Sequence, residues 1–250
     1  MTTFVLEAVG LSREFGGFYA VNDVALAIER GRIHALIGPN GAGKTTVFNL
    51  LTKFLAPTAG RILYKGRDIT GLRPAAVACL GLVRSFQISA VFPHLSVRDN
   101  VRLGLQRALG TSFHFWRRGR SLDRLNDRAA SLIAAVGLDA FLDETAAQLP
   151  YGHRRALELA TTLALDPEVL LLDEPTSGLG REDIGRITEL IRGLAGERTI
   201  LMVEHNLSVV AALSHRITVM ARGRVLTEGT YAEVSANAEV RSAYMGTSHA

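Results

Sequence analysis

Short apolar runs crowd the first third of the chain, at residues 4–9, 24–28, 33–37 and 62–64, separated by glycines and an Asn-Asp pair. Runs of this length bounded by turn residues predict strands. After Ile37 a glycine-rich stretch opens a segment, residues 44–55, whose apolar positions Val47, Leu50, Leu51 and Phe54 recur at helical spacing. From about 97 to 164 the pattern turns helical, most clearly at 122–136 and 155–165. The last third returns to short apolar runs at 169–172, 199–203, 217–220 and 225–226, interleaved with helical stretches near 182–194 and 207–213. Strands alternating with helices predict βαβ units and a mainly parallel sheet. The expected architecture is therefore an α/β core interrupted by an all-helical insert.

Composition narrows this picture. With 250 residues, 48% of them hydrophobic, 21% charged and 7 Pro, the chain has the makeup of a globular domain, or of a core carrying a smaller subdomain. The longest run free of charge and strong polarity, 74–83, is too short to span a bilayer, and the first residues lack a basic start followed by an apolar run of signal-peptide length. The chain is expected on the cytoplasmic side. Cys79 is the single cysteine, which excludes an intrachain disulfide and a cysteine metal cluster. A net charge of +4 is dispersed rather than gathered into a stripe, so no nucleic-acid partner is expected. Only three of the 28 basic residues are lysines, Lys44, Lys53 and Lys65.

Lys44 carries chemistry. Residues 38–45, Gly38-Pro39-Asn40-Gly41-Ala42-Gly43-Lys44-Thr45, read G-x-x-x-x-G-K-T and lie between an apolar strand and a helix. The glycines let successive backbone N–H groups face phosphate oxygens, and the helix start adds partial positive charge. Lys44 would reach the β- and γ-phosphates, and Thr45 would ligate Mg2+ through its hydroxyl, with Thr46 next in the loop. The apolar run 169–172 ends in Asp173-Glu174-Pro175, at the strand edge where open α/β sheets bind ligands. Asp173 would hold Mg2+ and Glu174 would act as general base on the water attacking the γ-phosphate. Gln87 and His205 also follow apolar strands. Gln87 would contact metal and water, while His205 would bond the γ-phosphate and orient Glu174.

In order along the chain, the phosphate loop, Gln87, the segment Leu149-Pro150-Tyr151-Gly152-His153, Asp173-Glu174, the turn 177–180 and His205 resemble the ATP-binding cassette (ABC) ATPases. The resemblance implies a P-loop NTPase, with a RecA-like core and antiparallel β subdomain over about 1–86 and 159–250 and a helical subdomain over about 87–158. It implies ATP and Mg2+ as cofactors. It also implies a second ABC ATPase subunit, hetero- or homodimeric, whose nucleotide is completed by this chain's signature at 149–153. Phe15 takes the position of the adenine-stacking aromatic. Ala20-Val21-Asn22-Asp23, the signature with Arg154-Arg155 behind it, and the ending around 229–246 are similar to the ATPase subunits of branched-chain amino-acid importers. That likeness implies membrane permease subunits, with a short helix seated in a groove near 87–94 among Ile88, Val91, Phe92 and Leu95, and indirectly an extracytoplasmic substrate-binding protein. Relatives of the same look serve urea, amide or aromatic-acid uptake and lipopolysaccharide export.

Three positions depart from the usual pattern. Pro150 stands where a serine would offer a hydroxyl and an N–H, His153 replaces glutamine, and Gly180 replaces a polar residue. All three lie on the surface serving the partner's nucleotide, which points to a heterodimer with one weaker site. Residues 111–120 combine three arginines with aromatics, including the only Trp, and read either as an exposed loop or as a contact for anionic lipid. A soluble ABC ATPase acting on nucleic acid or ribosomes, a P-loop phosphotransferase and a non-hydrolysing nucleotide sensor stand as alternatives to a transport ATPase.

Overall fold

The computed structural model describes residues 3–85, 91–108 and 125–245. Gln87, Ile88 and the basic-aromatic segment 111–120 lie outside the described residues. Ten strands are described, in two sheets. The larger, in the order β10-β9-β3-β8-β7-β6, is built from β3 (Ile33–Ile37), β6 (Leu82–Ser85), β7 (Val169–Asp173), β8 (Thr199–Val203), β9 (Arg216–Ala221) and β10 (Arg224–Gly229). Its neighbours run parallel except β10, which closes the edge as an antiparallel hairpin with β9. The smaller sheet is antiparallel, in the order β2-β1-β4-β5, from β1 (Phe4–Phe15), β2 (Phe18–Glu29), β4 (Ala59–Tyr64) and β5 (Arg67–Asp68).

The continuous apolar runs make the central strands because both faces of the larger sheet are covered, so every residue of β3, β7 and β8 is buried. Side chains alternate between two cores. Ile33, Ala35, Ile37, Leu170, Leu172, Ile200 and Met202 face one, packed by the helices of the insert, α3 (Val97–Ala108), α4 (Asn126–Ala135) and α5 (Tyr151–Leu163), and by α6 (Arg181–Leu194) and α7 (Leu207–Leu213). Leu36, Leu171, Leu201 and Val203 face the other, with the small sheet and α1 (Lys44–Leu51). Short helices α2 (Pro74–Cys79), α8 (Tyr231–Ala236) and α9 (Ala238–Met245) are the remaining α-helices among the described residues.

Two features differ from the sequence reading. β1 and β2 are twelve residues each, longer than the apolar runs that announced them, and are joined by a two-residue turn at Gly16-Gly17. Both glycines have positive φ, 55° and 89°, the backbone a tight hairpin of this twist requires. The expected helix 44–55 stops at Leu51, because Lys53 turns into the left-handed region at φ 65°.

A polar chain leads from buried His34 and Thr218 out to the sheet edge. Thr218 spends its hydroxyl hydrogen on Glu228 Oε2 at 2.8 Å, so its oxygen accepts from Nε2–H of His34 at 2.7 Å, and Arg216 pairs with Glu228. Burial drives the His34 pKa down from 6.5 to about 4, helped by Arg216 and opposed by Glu228. The unfolded chain binds a proton near pH 6.5 that the folded chain refuses until about pH 4, so stability is full above 6.5 and falls as pH drops through this window. At pH 5 the loss from His34 is roughly 2 kcal/mol. Urea unfolding at pH 7 and pH 5 should therefore show a smaller pH-dependent loss in His34→Gln than in the parent. An equal loss in both would refute the assignment.

Candidate functional site

Three adjacent parallel strands deliver the site. The phosphate loop follows β3, Asp173 ends β7 with Glu174 next, and His205 lies just beyond β8, so all converge on one edge of the sheet in the order β3-β8-β7. The loop is held from below: Gly223 N–H, in the β9–β10 turn, donates to Ala42 O at 3.0 Å, and Val47 N–H donates to Gly43 O at 2.9 Å. Gly38 and Gly43 have positive φ, 152° and 100°, and an added Cβ would lie 2.2 Å from Met220 O at the first and 2.5 Å from Ala20 O at the second. Only glycine fits there, because the opposing atoms are backbone. Gly43 also caps α1 without a side-chain bond, leaving the helix's first amides free for an anion.

Lys44 is 6% exposed, and its Nζ donates to Gly38 O at 2.7 Å and Pro39 O at 2.9 Å. An ammonium carries three donors, so one remains for a ligand. Burial pulls the Lys44 pKa below its ordinary range, while Glu174 and then Asp173 push it back up. Thr45 is exposed at the first turn of α1, with Thr46 half-buried beside it.

Asp173 is buried and pairs with Arg84, a charged residue on β6 that the sequence reading passed over. Glu174 sits at φ 48°, left-handed backbone that costs a non-glycine residue on the order of 1 kcal/mol. The turn sends its N–H to Val203 O at 2.9 Å and brings its Oε1 to 2.8 Å from His205 Nε2. Behind them lies Glu204, 3% exposed and also missed in the sequence. Its carboxylate accepts from Thr176 N–H at 2.9 Å, Thr176 Oγ1 at 2.6 Å, His205 N–H at 3.0 Å and Asn206 N–H at 3.2 Å. Glu204 thereby ties the segment after Glu174 to the segment carrying His205. Its sequence signal was a carboxylate directly after a fully apolar strand, next to the histidine already singled out.

A cleft of about 310 Å3 runs from the phosphate loop to Glu174 and His205, with Phe18 in its wall. Phe15, the expected adenine partner, pairs with Phe18 across the hairpin and is not among the residues lining this cleft; the Arg13 guanidinium lies 4.6 Å from its ring centroid. The signature residues lie apart, at the start of α5. Leu149 is buried in the core, Pro150 is the helix N-cap without a side-chain bond, and Tyr151 is 45% exposed. An added Cβ on Gly152 would meet the Asp183 carboxyl at 2.3 Å. His153 turns inward, its ring 4.8 Å from Phe141 and its Nε2 3.3 Å from Arg186; burial and Arg186 lower its pKa.

The ABC transporter family model matches residues 21–177 of this sequence, and a model of branched-chain amino acid ATP-binding cassette transporters matches residues 224–250. The sequence is 38% identical, over 98% of this chain and 99% of theirs, to two curated proteins described as high-affinity branched-chain amino acid transport ATP-binding proteins, LivG of Escherichia coli and BraF of Pseudomonas aeruginosa. The chain belongs to the ABC transporter family. The cassette also matches a crystal structure of an ATP-binding cassette of an ABC transporter in its ADP conformation, at TM-score 0.86 and 26% identity, covering 98% of this chain and all of that one. The P-loop NTPase fold expected from the sequence is thus the fold found.

As an ABC cassette, the protein is a nucleotide-binding ATPase whose hydrolysis is coupled to transport, and its work implies permease subunits in the membrane. Among the described residues, no helix is long and apolar enough to cross a membrane.

Proposed function

We propose that this cassette hydrolyses ATP at the cytoplasmic face of the membrane to power import of branched-chain amino acids through partner permease subunits. The observation that carries the substrate class is the 38% identity to LivG and BraF along essentially the whole chain, supported by the separate match at residues 224–250. Substrate capture belongs to an extracytoplasmic binding protein, reached through the permease.

Thr45 and Asp173 are the residues for Mg2+, with Gln87 as a further contact. The donors suit that ion: a hydroxyl and a carboxylate are hard oxygen ligands, and they are too few to form a cage, as expected of an ion carried with substrate phosphates. Bound there, Mg2+ would neutralise charge building on the phosphate oxygens. Lys44 and the amides at the start of α1 hold the β- and γ-phosphates. Glu174 takes the proton of the attacking water, and His205, held by Glu204, orients Glu174 and donates toward the γ-phosphate.

The groove for a permease helix opens between the large sheet and the insert, about 580 Å3, where Phe54 and Phe92 are 52% and 57% exposed. The second cassette is a different chain. Pro150 supplies neither hydroxyl nor N–H to a partner's γ-phosphate and His153 is engaged internally, so this chain's signature serves a weaker site while its own phosphate loop meets an intact one. Affinity capture of the chain from its native membranes, with mass spectrometry and an ATPase assay, tests the proposal. Two polytopic membrane proteins and a second cassette are expected, with the binding protein identifying the substrate. Recovery of soluble partners alone would overturn it.

A further inference from the structure

Among the described residues that line the apolar groove of Phe54, Phe92 and Leu103, Arg84 is the only charged one. It stands on β6 opposite Leu171 of β7, and its side chain is 9% exposed. The guanidinium reaches out of the groove wall to the phosphate site. Nη2 pairs with Asp173 Oδ2, on a side chain 2% exposed, and Nη1 donates at 2.5 Å to Asn49 Oδ1 on α1, the helix that begins at Lys44. The charge also lies 5.6 Å from the Phe48 ring centroid. One side chain therefore touches the groove, the phosphate-loop helix and the buried carboxylate. Stability is a poor explanation, since buried ion pairs commonly give no net gain over apolar residues of the same volume.

We infer that Arg84 is a positioning residue through which a helix seated in the groove controls the carboxylate of Asp173. The inference rests on the reading that the groove receives a permease helix and that Asp173 faces the divalent cation. A guanidinium on one carboxylate oxygen weakens the attraction of that carboxylate for a second cation, and the bond to Asn49 fixes where the opposing charge sits. A helix pressing on the arginine stem moves that charge relative to Asp173, so docking and cation affinity change together.

The test measures Mn2+ binding by electron paramagnetic resonance on the purified chain with ADP, alongside permease stimulation of hydrolysis in proteoliposomes. Removing the charge in Arg84→Met should tighten Mn2+ binding roughly tenfold and abolish most of the stimulation. Arg84→Lys keeps a cation without the fork, so it should leave Mn2+ binding within about threefold of the parent. Thermal melting without ligand confirms that each variant is folded. Mn2+ binding by a folded Arg84→Met that is unchanged or weaker would overturn the inference, as would intact stimulation. A groove variant, Phe54→Asp, separates the underlying reading: it should lose permease capture and keep parental Mn2+ binding. Capture by Phe54→Asp equal to the parent would remove the docking helix, and the Mn2+ arm would then report on the Arg84–Asp173 contact alone.

Discussion

Glu174→Gln is expected to keep ATP binding and lose turnover by about 10²- to 10⁴-fold, the usual contribution of a general base. Several other causes of such a loss are removed by the geometry. Glutamine has the same length and the same backbone penalty at φ 48°, and its amide oxygen can still accept from His205 Nε2, now 2.8 Å from Glu174 Oε1. What it lacks is the capacity to accept the proton of the attacking water. The lost rate corresponds to about 3 to 5 kcal/mol of barrier. Phosphate release in steady state, paired with binding of a fluorescent ATP analogue, separates the two quantities. Parental turnover in Glu174→Gln would assign the base elsewhere. Blocked turnover with tight binding should also hold the two cassettes closed on ATP, visible as a stable dimer by size-exclusion chromatography.

The parts of this site legible in the sequence are those that occur at the ends of strands. β3, β7 and β8 are buried on both faces, so they read as apolar runs, broken within β3 only by His34, and the glycine loop after β3, the carboxylates at the end of β7 and the histidine just past β8 mark the catalytic edge. The phosphate loop was legible for a related reason: its glycines stand where backbone atoms of Met220 and Ala20 leave no room for a side chain. The small sheet was harder. Register shifts at Ala8/Leu11 and Leu11/Arg13 break the period of two, so the apolar runs covered only part of β1 and β2.

Arg84 and Glu204 were illegible because neither acts through its local sequence. Arg84 meets Asp173 from 89 positions away, and Glu204 meets Thr176 from 28 away; only strand order brings each pair together. A charged residue inside an apolar strand, or a carboxylate directly after one, was the available signal. Its meaning depended on a neighbour that periodicity does not supply. Phe18 illustrates the same limit at closer range: the two-residue turn at Gly16-Gly17 sets Phe15 and Phe18 opposite each other, and Phe18 lines the cleft.

Lys44→Ala is expected to weaken ATP binding by about 10²- to 10⁴-fold, the combined worth, at about 1.5 to 3 kcal/mol each, of charge-assisted bonds to two phosphates, one from the free donor and one from a donor that a loop carbonyl gives up when the phosphates bind. The fold should tolerate the change. The variant gives up the bonds to Gly38 O and Pro39 O, but it also relieves the burial that depresses the ammonium pKa, so opposing terms leave ligand-free stability within about 2 kcal/mol of the parent. Ligand linkage then isolates the binding defect. ATP at 100 times its dissociation constant stabilises the parent by about 2.7 kcal/mol, and the same concentration should leave the melting temperature of Lys44→Ala nearly unmoved. Lys44→Arg is the sharper control. It keeps the charge, yet a planar guanidinium cannot reproduce a compact ammonium held between two loop carbonyls at 6% exposure. Rescue by arginine would reduce the role of Lys44 to net charge. Failure of both variants to respond to ATP would place the requirement in the point geometry of the ammonium, set by the loop that wraps it.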